Sequence, residues 1–400
     1  MKKKATIIFK AKWDWNKFII QKISKFYDVE YIYLDRIKKN YLDTIKEINY
    51  FIEKNKIDTV FFDVDYQKFI NFYFIKKIKK VKKVMMCLDN YERHNINMLT
   101  ASACDVVLTD VISALKYKEV GKKAFNWFVE ADGNFYKDIK VLKSIDVLFF
   151  GKINNARKDY INFLQKNGIK LKIVGNNQNN MVSDQELVEL ICKSKIVLNF
   201  SKTTWDRINN FPEKNLFFNQ YQLKGRIIQV GLCGTACISE YAPHHELLYN
   251  SNELIQFKNK EECLSKIQDL LNNSKKLEEY SKIFSAKTKN FYEEEKEFKK
   301  IFDYLEKLKI SKLSPEDNLQ KIPYWYNRIC AKQILLRDLR INRFFSSIIN
   351  FKELVYIAKK SNMLAFMVIL IESFLNFIYY SLLNTIRTKS TGKNRYTDKL

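Results

Sequence analysis

A chain of 400 residues exceeds what one hydrophobic core organises, so two domains and an appendage are expected. An apolar share of 46% with 9 Gly and 4 Pro excludes fibrous and long disordered architectures. The formal charge of +25 favours an anionic partner, whether nucleic acid, an anionic membrane face or a phosphate-bearing substrate, and charge alone does not choose among the three.

The basic start is followed by an apolar run over 5–9 that is too short for a secretory h-region and runs into Lys10 and Lys12; it reads as a first strand. Further strands are predicted at 29–34, 59–62, 84–88, 106–109 and 124–127, with helical patterns at 15–26, 41–54 and 69–78 between them. That βαβ rhythm is satisfied by a parallel sheet covered on both faces, a first doubly wound Rossmann-like domain assigned to 1–135. The lysines are densest at Lys76, Lys77, Lys79, Lys80, Lys82 and Lys83, a run that also fits Lys- and Asn-rich usage set by genome composition.

A polar stretch over 128–144 has no sustained period and marks the domain boundary. The rhythm then restarts, with strands predicted at 147–150, 170–174, 196–200 and 236–238 and helices at 156–167, 185–192, 225–232 and 260–271, giving a second doubly wound domain over 136–310. Two such domains imply a cleft, and ligands of open parallel sheets bind beyond the carboxyl ends of the strands. From 311 onward Pro315 and Pro323 punctuate the chain, and 325–346 and 351–386 read as helical, so 311–400 is an all-helical extension.

The seven cysteines form no Cys-x-x-Cys pair and mostly sit in apolar runs, which reads as buried reduced thiols in a cytoplasmic protein. With three histidines in the chain, a His-rich metal site is excluded by counting, and neither a metal nor a cofactor is expected.

Two places carry chemistry. At 147–157 a strand ends in Phe149, Phe150 and Gly151 and is followed by Lys152, Asn154 and Arg157 at a helix start. A glycine lets the backbone approach a diphosphate, and the helix N-terminus adds positive potential; the same residues also suit a plain tight turn with solvated cations. At 196–246 the order is Leu198, Asn199, Phe200, Ser201, then Lys224, Gly225, Arg226, then Gly231 to Thr235 with Cys233 and Gly234, then Glu240, Tyr241, Pro243 and Glu246.

That order resembles the donor-binding domain of GT-B glycosyltransferases, in the group-1-like, spore-maturation-type (CgeB-like) branch. Leu88 and Asp89, the run 104–109, and the run 117–121 also follow the family's order, so the resemblance covers about 5–291. It implies transfer of a glycosyl group from a nucleoside diphosphate sugar, the co-substrate, to a glycan, lipid or protein acceptor held by the first domain. The developing phosphate charge can be met by fixed cations and N–H groups without a metal. The donor-binding set is Gly151, Lys152, Arg157, Asn199, Ser201, Lys224, Arg226, Gln229 and Glu246. Glu246 is placed near the ribose or sugar, with helix capping as its competing role. Related enzymes carry an acid at the places of Gln229 and Tyr221, a departure that also admits a catalytically idle nucleotide-sugar or glycan-binding protein. The candidate catalytic base is Asp89, at the end of the strand predicted over 84–88; an Asx-turn is its competing role. His94 and Glu130 are alternatives, and His244 and His245 shape the turn at Pro243.

The segment 363–386 is apolar and long enough to span a bilayer, but Glu372 lies within it. Packing on the enzyme or on a second subunit ranks first, peripheral contact with the inner face of the membrane second, and spanning third; Lys359, Lys360, Arg387 and Lys389 suit anionic lipid. No nucleic-acid motif appears, and nucleic acid is not an expected partner.

Overall fold

The computed structural model describes residues 2–12, 16–34, 41–64, 70, 72–87, 94–127, 131–153, 155–175, 180–202, 221–292, 294–310 and the helical positions Met367, Ile371 and Leu375. Strands β1 (Lys4–Phe9), β2 (Asp28–Tyr33), β3 (Thr59–Asp63), β4 (Lys82–Cys87), β5 (Val106–Thr109) and β6 (Ala124–Asn126) form one parallel sheet in the order β2-β1-β3-β4-β5-β6. The inner strands are almost wholly buried, whereas edge strand β2 is half-exposed. That is why the inner ones read as unbroken apolar runs.

Helices α1 (Asn16–Ser24), α2 (Tyr41–Asn55), α3 (Phe72–Lys77), α4 (His94–Ser102) and α5 (Val111–Glu119) cover this sheet. Strand alternation divides its core: Ile8, Phe62, Met85 and Val107 pack with Ile48, Ile75 and Met98, while Ile7, Phe61, Val84 and Leu108 pack with Ile19 and Ile23. Asp110 starts α5, its carboxylate accepting from the amides of Ile112 and Ser113 at 3.1 and 3.0 Å.

Strands β7 (Ile145–Phe150), β8 (Leu171–Val174), β9 (Ser194–Asn199), β10 (Ala236–Glu240) and β11 (Ile255–Phe257) make a second parallel sheet, ordered β11-β10-β9-β7-β8. Around it lie α6 (Asn155–Lys166), α7 (Asp184–Lys193), α8 (Gly225–Leu232), α9 (Lys260–Asn272) and α10 (Ser274–Phe291). A capping box between Ser183 and Glu186 starts α7. α8 and α10 touch closely at Gly231 and Thr288.

The last described helix, α11 (Glu294–Lys307), returns to the first sheet: Phe298, Ile301, Phe302 and Leu305 complete its second core, and Phe302 stacks on Phe26 at 4.1 Å. Where the chain turns back, Lys22 of α1 is 1% exposed and donates to the Ala131 carbonyl at 2.8 Å and the Tyr292 hydroxyl at 2.5 Å. Lys17 of the same helix pairs with Asp184 of α7 at 3.0 Å.

The predicted strands lie where the structure has them, with β4, β7 and β9 each beginning two residues earlier. Five elements had no counterpart in the sequence reading: α4, α5, β11, α10 and α11. The helical extension over 311–400 lies outside the described residues apart from Met367, Ile371 and Leu375, which are helical and exposed. Among the described residues no helix is long and apolar enough to cross a membrane. Six described cysteines are buried free thiols.

Candidate functional site

The carboxyl ends of β7, β9 and β10 lie side by side in the second sheet. β7 ends at Phe150, and Gly151 follows with φ +117, a left-handed conformation that L side chains rarely adopt. Its N–H donates to the Val174 carbonyl at 2.9 Å, which fixes the turn onto β8.

Against this turn lies Arg226, the second residue of α8. A Cβ atom at 151 would fall 2.5 Å from its Nη2, so the absent side chain makes room for the guanidinium. Arg226 lies over the rings of Phe149 and Phe150, 5.2 and 4.7 Å from their centroids, and its Nη1 donates to Asn199 Oδ1 at 3.1 Å. Lys224 is the N-cap of α8 and makes no side-chain cap, so the positive end of the helix lies at this turn without a capping side chain.

Beneath Arg226 runs a fully buried polar chain. Asn199 Nδ2 donates to Ser239 Oγ at 2.8 Å and to Ser201 Oγ at 3.3 Å, the two hydroxyls are 3.2 Å apart, and Ser239 Oγ donates to the Glu240 carbonyl at 3.0 Å. All three residues are 0% exposed, so they orient Arg226 from below.

Next to this chain, Glu240 ends β10. Its Oε2 accepts from the Lys202 amide at 2.8 Å. Burial raises its carboxyl above the usual carboxylate range; the Lys202 and Ser201 amides and the charges of Arg157 and Lys202 act the other way. Tyr221 and Tyr241 stand nearby with ring centroids 6.4 Å apart, Lys202 5.9 Å from the first ring and Lys258 5.4 Å from the second. Tyr160 lies against Phe200 and Phe257, and burial, followed by the Glu240 charge, pushes its phenol up to about 12.

The structure therefore brings together Gly151, Asn199, Ser201, Arg226 and, through Phe200 and Glu240, Arg157. The Arg157 Nη1 donates to the Lys152 carbonyl at 2.8 Å, and its guanidinium lies 5.9 Å from the Phe200 ring. Other candidates sit differently. Lys152 is exposed. Lys224 Nζ donates to Gln222 Oε1 at 2.6 Å, and Gln229 Nε2 donates to the Tyr136 hydroxyl at 3.0 Å. Glu246 keeps 60% of its side chain exposed in a short 3-10 turn, His245–Leu247, with His244 and His245 at 3.8 and 3.4 Å. His245 Nδ1 lies 3.1 Å from the Ala242 carbonyl and His244 has φ 64, so this pair shapes the turn.

Asp89 and Glu130 lie outside the described residues. His94 is 4% exposed against Tyr117, and burial together with Lys116 lowers its pKa to about 3. Among the described residues no group of three or more His, Cys, Asp or Glu could hold a metal ion. Sequence reasoning gave no role to Ser239, Glu240, Lys202 and Tyr136, although Glu240 stood in the quoted motif. The signal for the first two was present: they end an apolar strand beside Asn199, as a site residue of a parallel sheet does.

A protein-family model described as glycosyl transferase-like matches residues 157–306, from Arg157 in α6 to the last turn of α11. A search of curated protein sequences finds no match. Among solved structures, HepE from Anabaena in complex with UDP is similar with a TM-score of 0.54 at 11% identity, covering 76% of this chain and 100% of that one. Sucrose-phosphate synthase from Thermosynechococcus elongatus gives 0.51 at 6% identity over 76% and 98%. The DNA-modifying enzyme β-glucosyltransferase gives 0.50 at 11% identity over 76% and 100%. The fold is that of the GT-B glycosyltransferases, two Rossmann-like domains each built on a parallel sheet.

Proposed function

We propose that the chain is a metal-independent glycosyltransferase of the group-1-like, spore-maturation type, binding a nucleoside diphosphate sugar at the tips of β7, β9 and β10. One observation carries this reading: a guanidinium fixed by Asn199 and two phenylalanine rings lies against a glycine turn at the start of a helix whose cap residue makes no side-chain cap. A fixed cation beside the positive end of a helix suits a diphosphate. In the transfer, the bond from the sugar C1 to the diphosphate oxygen breaks and an acceptor oxygen bonds C1. The acceptor proton passes to a carboxylate, for which Asp89 remains the candidate. Arg226, the α8 amides, Arg157 and Lys152 take up the charge that develops on the leaving diphosphate.

UDP and UDP-glucose are the ligands named for HepE, which makes uridine nucleotides the first probes. The acceptor class is a glycan, a lipid-linked glycan or a protein on the cytoplasmic side, with the extension over 311–400 as the segment that meets a second subunit or the membrane surface. The proposed units are 1–135 for the acceptor and 136–310 for the donor.

A second reading, a catalytically idle nucleotide-sugar binder, is favoured by the amide of Gln229 being engaged with Tyr136 and by Tyr221 at the other acid position. Purified protein is tested against a panel of nucleoside diphosphate sugars by thermal shift, then for nucleotide release with acceptor mixtures. Stabilisation with release supports the transferase, stabilisation without release supports the idle binder, and stabilisation by no member of the panel sinks both.

A further inference from the structure

We propose that Glu240 is a specificity-determining residue that accepts hydrogen bonds from the ring hydroxyls of the donor sugar. This rests on the glycosyltransferase reading of the same site. Three observations lead to it.

The first is position. Among the last residues of the five strands of the second sheet, Glu240 is the one carboxylate, and it ends β10 directly beside the β9 tip that orients Arg226. A carboxylate repels a diphosphate, so it suits the neutral, hydroxyl-bearing part of a donor whose phosphates lie on Arg226 and the α8 amides. Glu246 keeps most of its side chain exposed beside two histidines. Gln229 carries no charge.

The second is unused capacity. A carboxylate offers about four acceptor positions. One oxygen takes the Lys202 amide, and the Ser201 amide also bears on the group. Among the described residues Glu240 forms no ion pair, although Arg157 and Lys202 act on it from farther away. Its remaining lone pairs suit vicinal hydroxyls, which bind to a carboxylate through two adjacent O–H donors.

The third is the wall around it. Tyr221 and Tyr241 set two half-buried rings edge to face beside the carboxylate. An aromatic face next to an acceptor fits a sugar ring, whose C–H bonds cover one side and whose hydroxyls point outward.

The test is the isosteric Glu240→Gln variant of the full chain, titrated calorimetrically with the nucleoside diphosphate alone and with the matching nucleotide hexose that the wild type binds best. Glutamine keeps an oxygen for the Lys202 amide, and the unliganded melting temperature checks that the fold is retained. The expected result is an affinity for the nucleoside diphosphate within about twofold of wild type and an affinity for the nucleotide sugar lowered about tenfold. Wild-type discrimination between the parent sugar and its monodeoxy analogues should shrink in the variant, which a purely structural role would not produce. Equal loss for both ligands, or no loss for either, overturns the assignment. If the wild type binds the nucleoside diphosphate but no nucleotide sugar, Glu240 loses its role while the diphosphate site stands. If it binds neither, the glycosyltransferase reading itself falls and Glu240 with it.

Discussion

Gly151 and Arg226 share a space that admits a guanidinium or a methyl group but not both, since a Cβ at 151 would fall 2.5 Å from Nη2 of the arginine. The contact ties the end of β7 to the start of α8, and so couples two candidate donor-binding elements separated by 75 residues in sequence. Gly151→Ala is therefore expected to push Arg226 off the Phe149 and Phe150 rings. Its positive φ adds strain of about 1–3 kcal/mol. Calorimetric titration should show nucleotide affinity weakened at least about tenfold, a larger effect than strain at a distant turn would give.

Asn199 holds Arg226 from beneath while its amide engages Ser239 and Ser201. Asn199→Ala leaves buried hydroxyls short of a partner and should lower stability by about 1–3 kcal/mol, read from chemical denaturation. Nucleotide binding should fall as well. Ser239→Ala removes one link of the chain and spares the Asn199–Arg226 bond, so its effect on binding should be the smaller of the two.

The crossing of α8 and α10 is tight. A Cβ at Gly231 would lie 2.2 Å from Thr288 Oγ1 and 2.7 Å from its Cβ. Gly231→Ala should destabilise by about 1–3 kcal/mol through overpacking. Thr288→Ala has its own cost, because Thr288 Oγ1 lies 3.0 Å from the Tyr249 hydroxyl. The double variant should be less destabilised than the sum of the singles, a coupling that a double-mutant cycle measures directly.

His94 gives a pH signature. Its pKa in the folded chain lies at about 3 because it is buried beside Lys116, against about 6.5 when unfolded. The unfolded chain therefore takes up the proton first. The stabilising contribution is complete above about pH 6.5 and is lost on acidification, at about 1.4 kcal/mol per pH unit down to pH 3. Asp110, whose carboxyl burial raises, titrates in the opposite sense, so the comparison is wild type against His94→Gln across that window. The variant should show the shallower slope, and parallel curves would contradict the buried neutral imidazole.

The two parallel sheets were legible because strands buried on both faces appear as continuous apolar runs such as Val84 to Cys87 and Ile196 to Leu198. α4 was not: in His94–Ser102 polar residues alternate with apolar ones without a clear stripe. α5 was hidden because its apolar start follows β5 with Asp110 alone between them. The return of α11 to the first sheet depends on contacts between residues nearly 300 apart, such as Phe26 with Phe302, and no local period records that.

At the candidate site, Gly151 and Arg157 could be named from a strand end and a helix start, and Asn199 and Arg226 from the order of residues that resembles the glycosyltransferase donor domain. What could not be read was depth. Asn199 and Ser201 are wholly buried supports, and Glu240, quoted within a motif, is the half-buried carboxylate at the strand tip. Sequence order places a residue at a strand end, but whether its side chain lies below or within the crevice depends on neighbouring strands.

If Arg226 receives the phosphates of a nucleotide sugar, calorimetric titration of UDP-glucose and related donors into wild type and Arg226→Ala will separate the two proteins. The expected result is saturable binding by the wild type, with a stabilisation of about 2.7 kcal/mol at a hundredfold excess over Kd, and loss of both in a variant that still melts cooperatively. Equal affinity in the two proteins would contradict it.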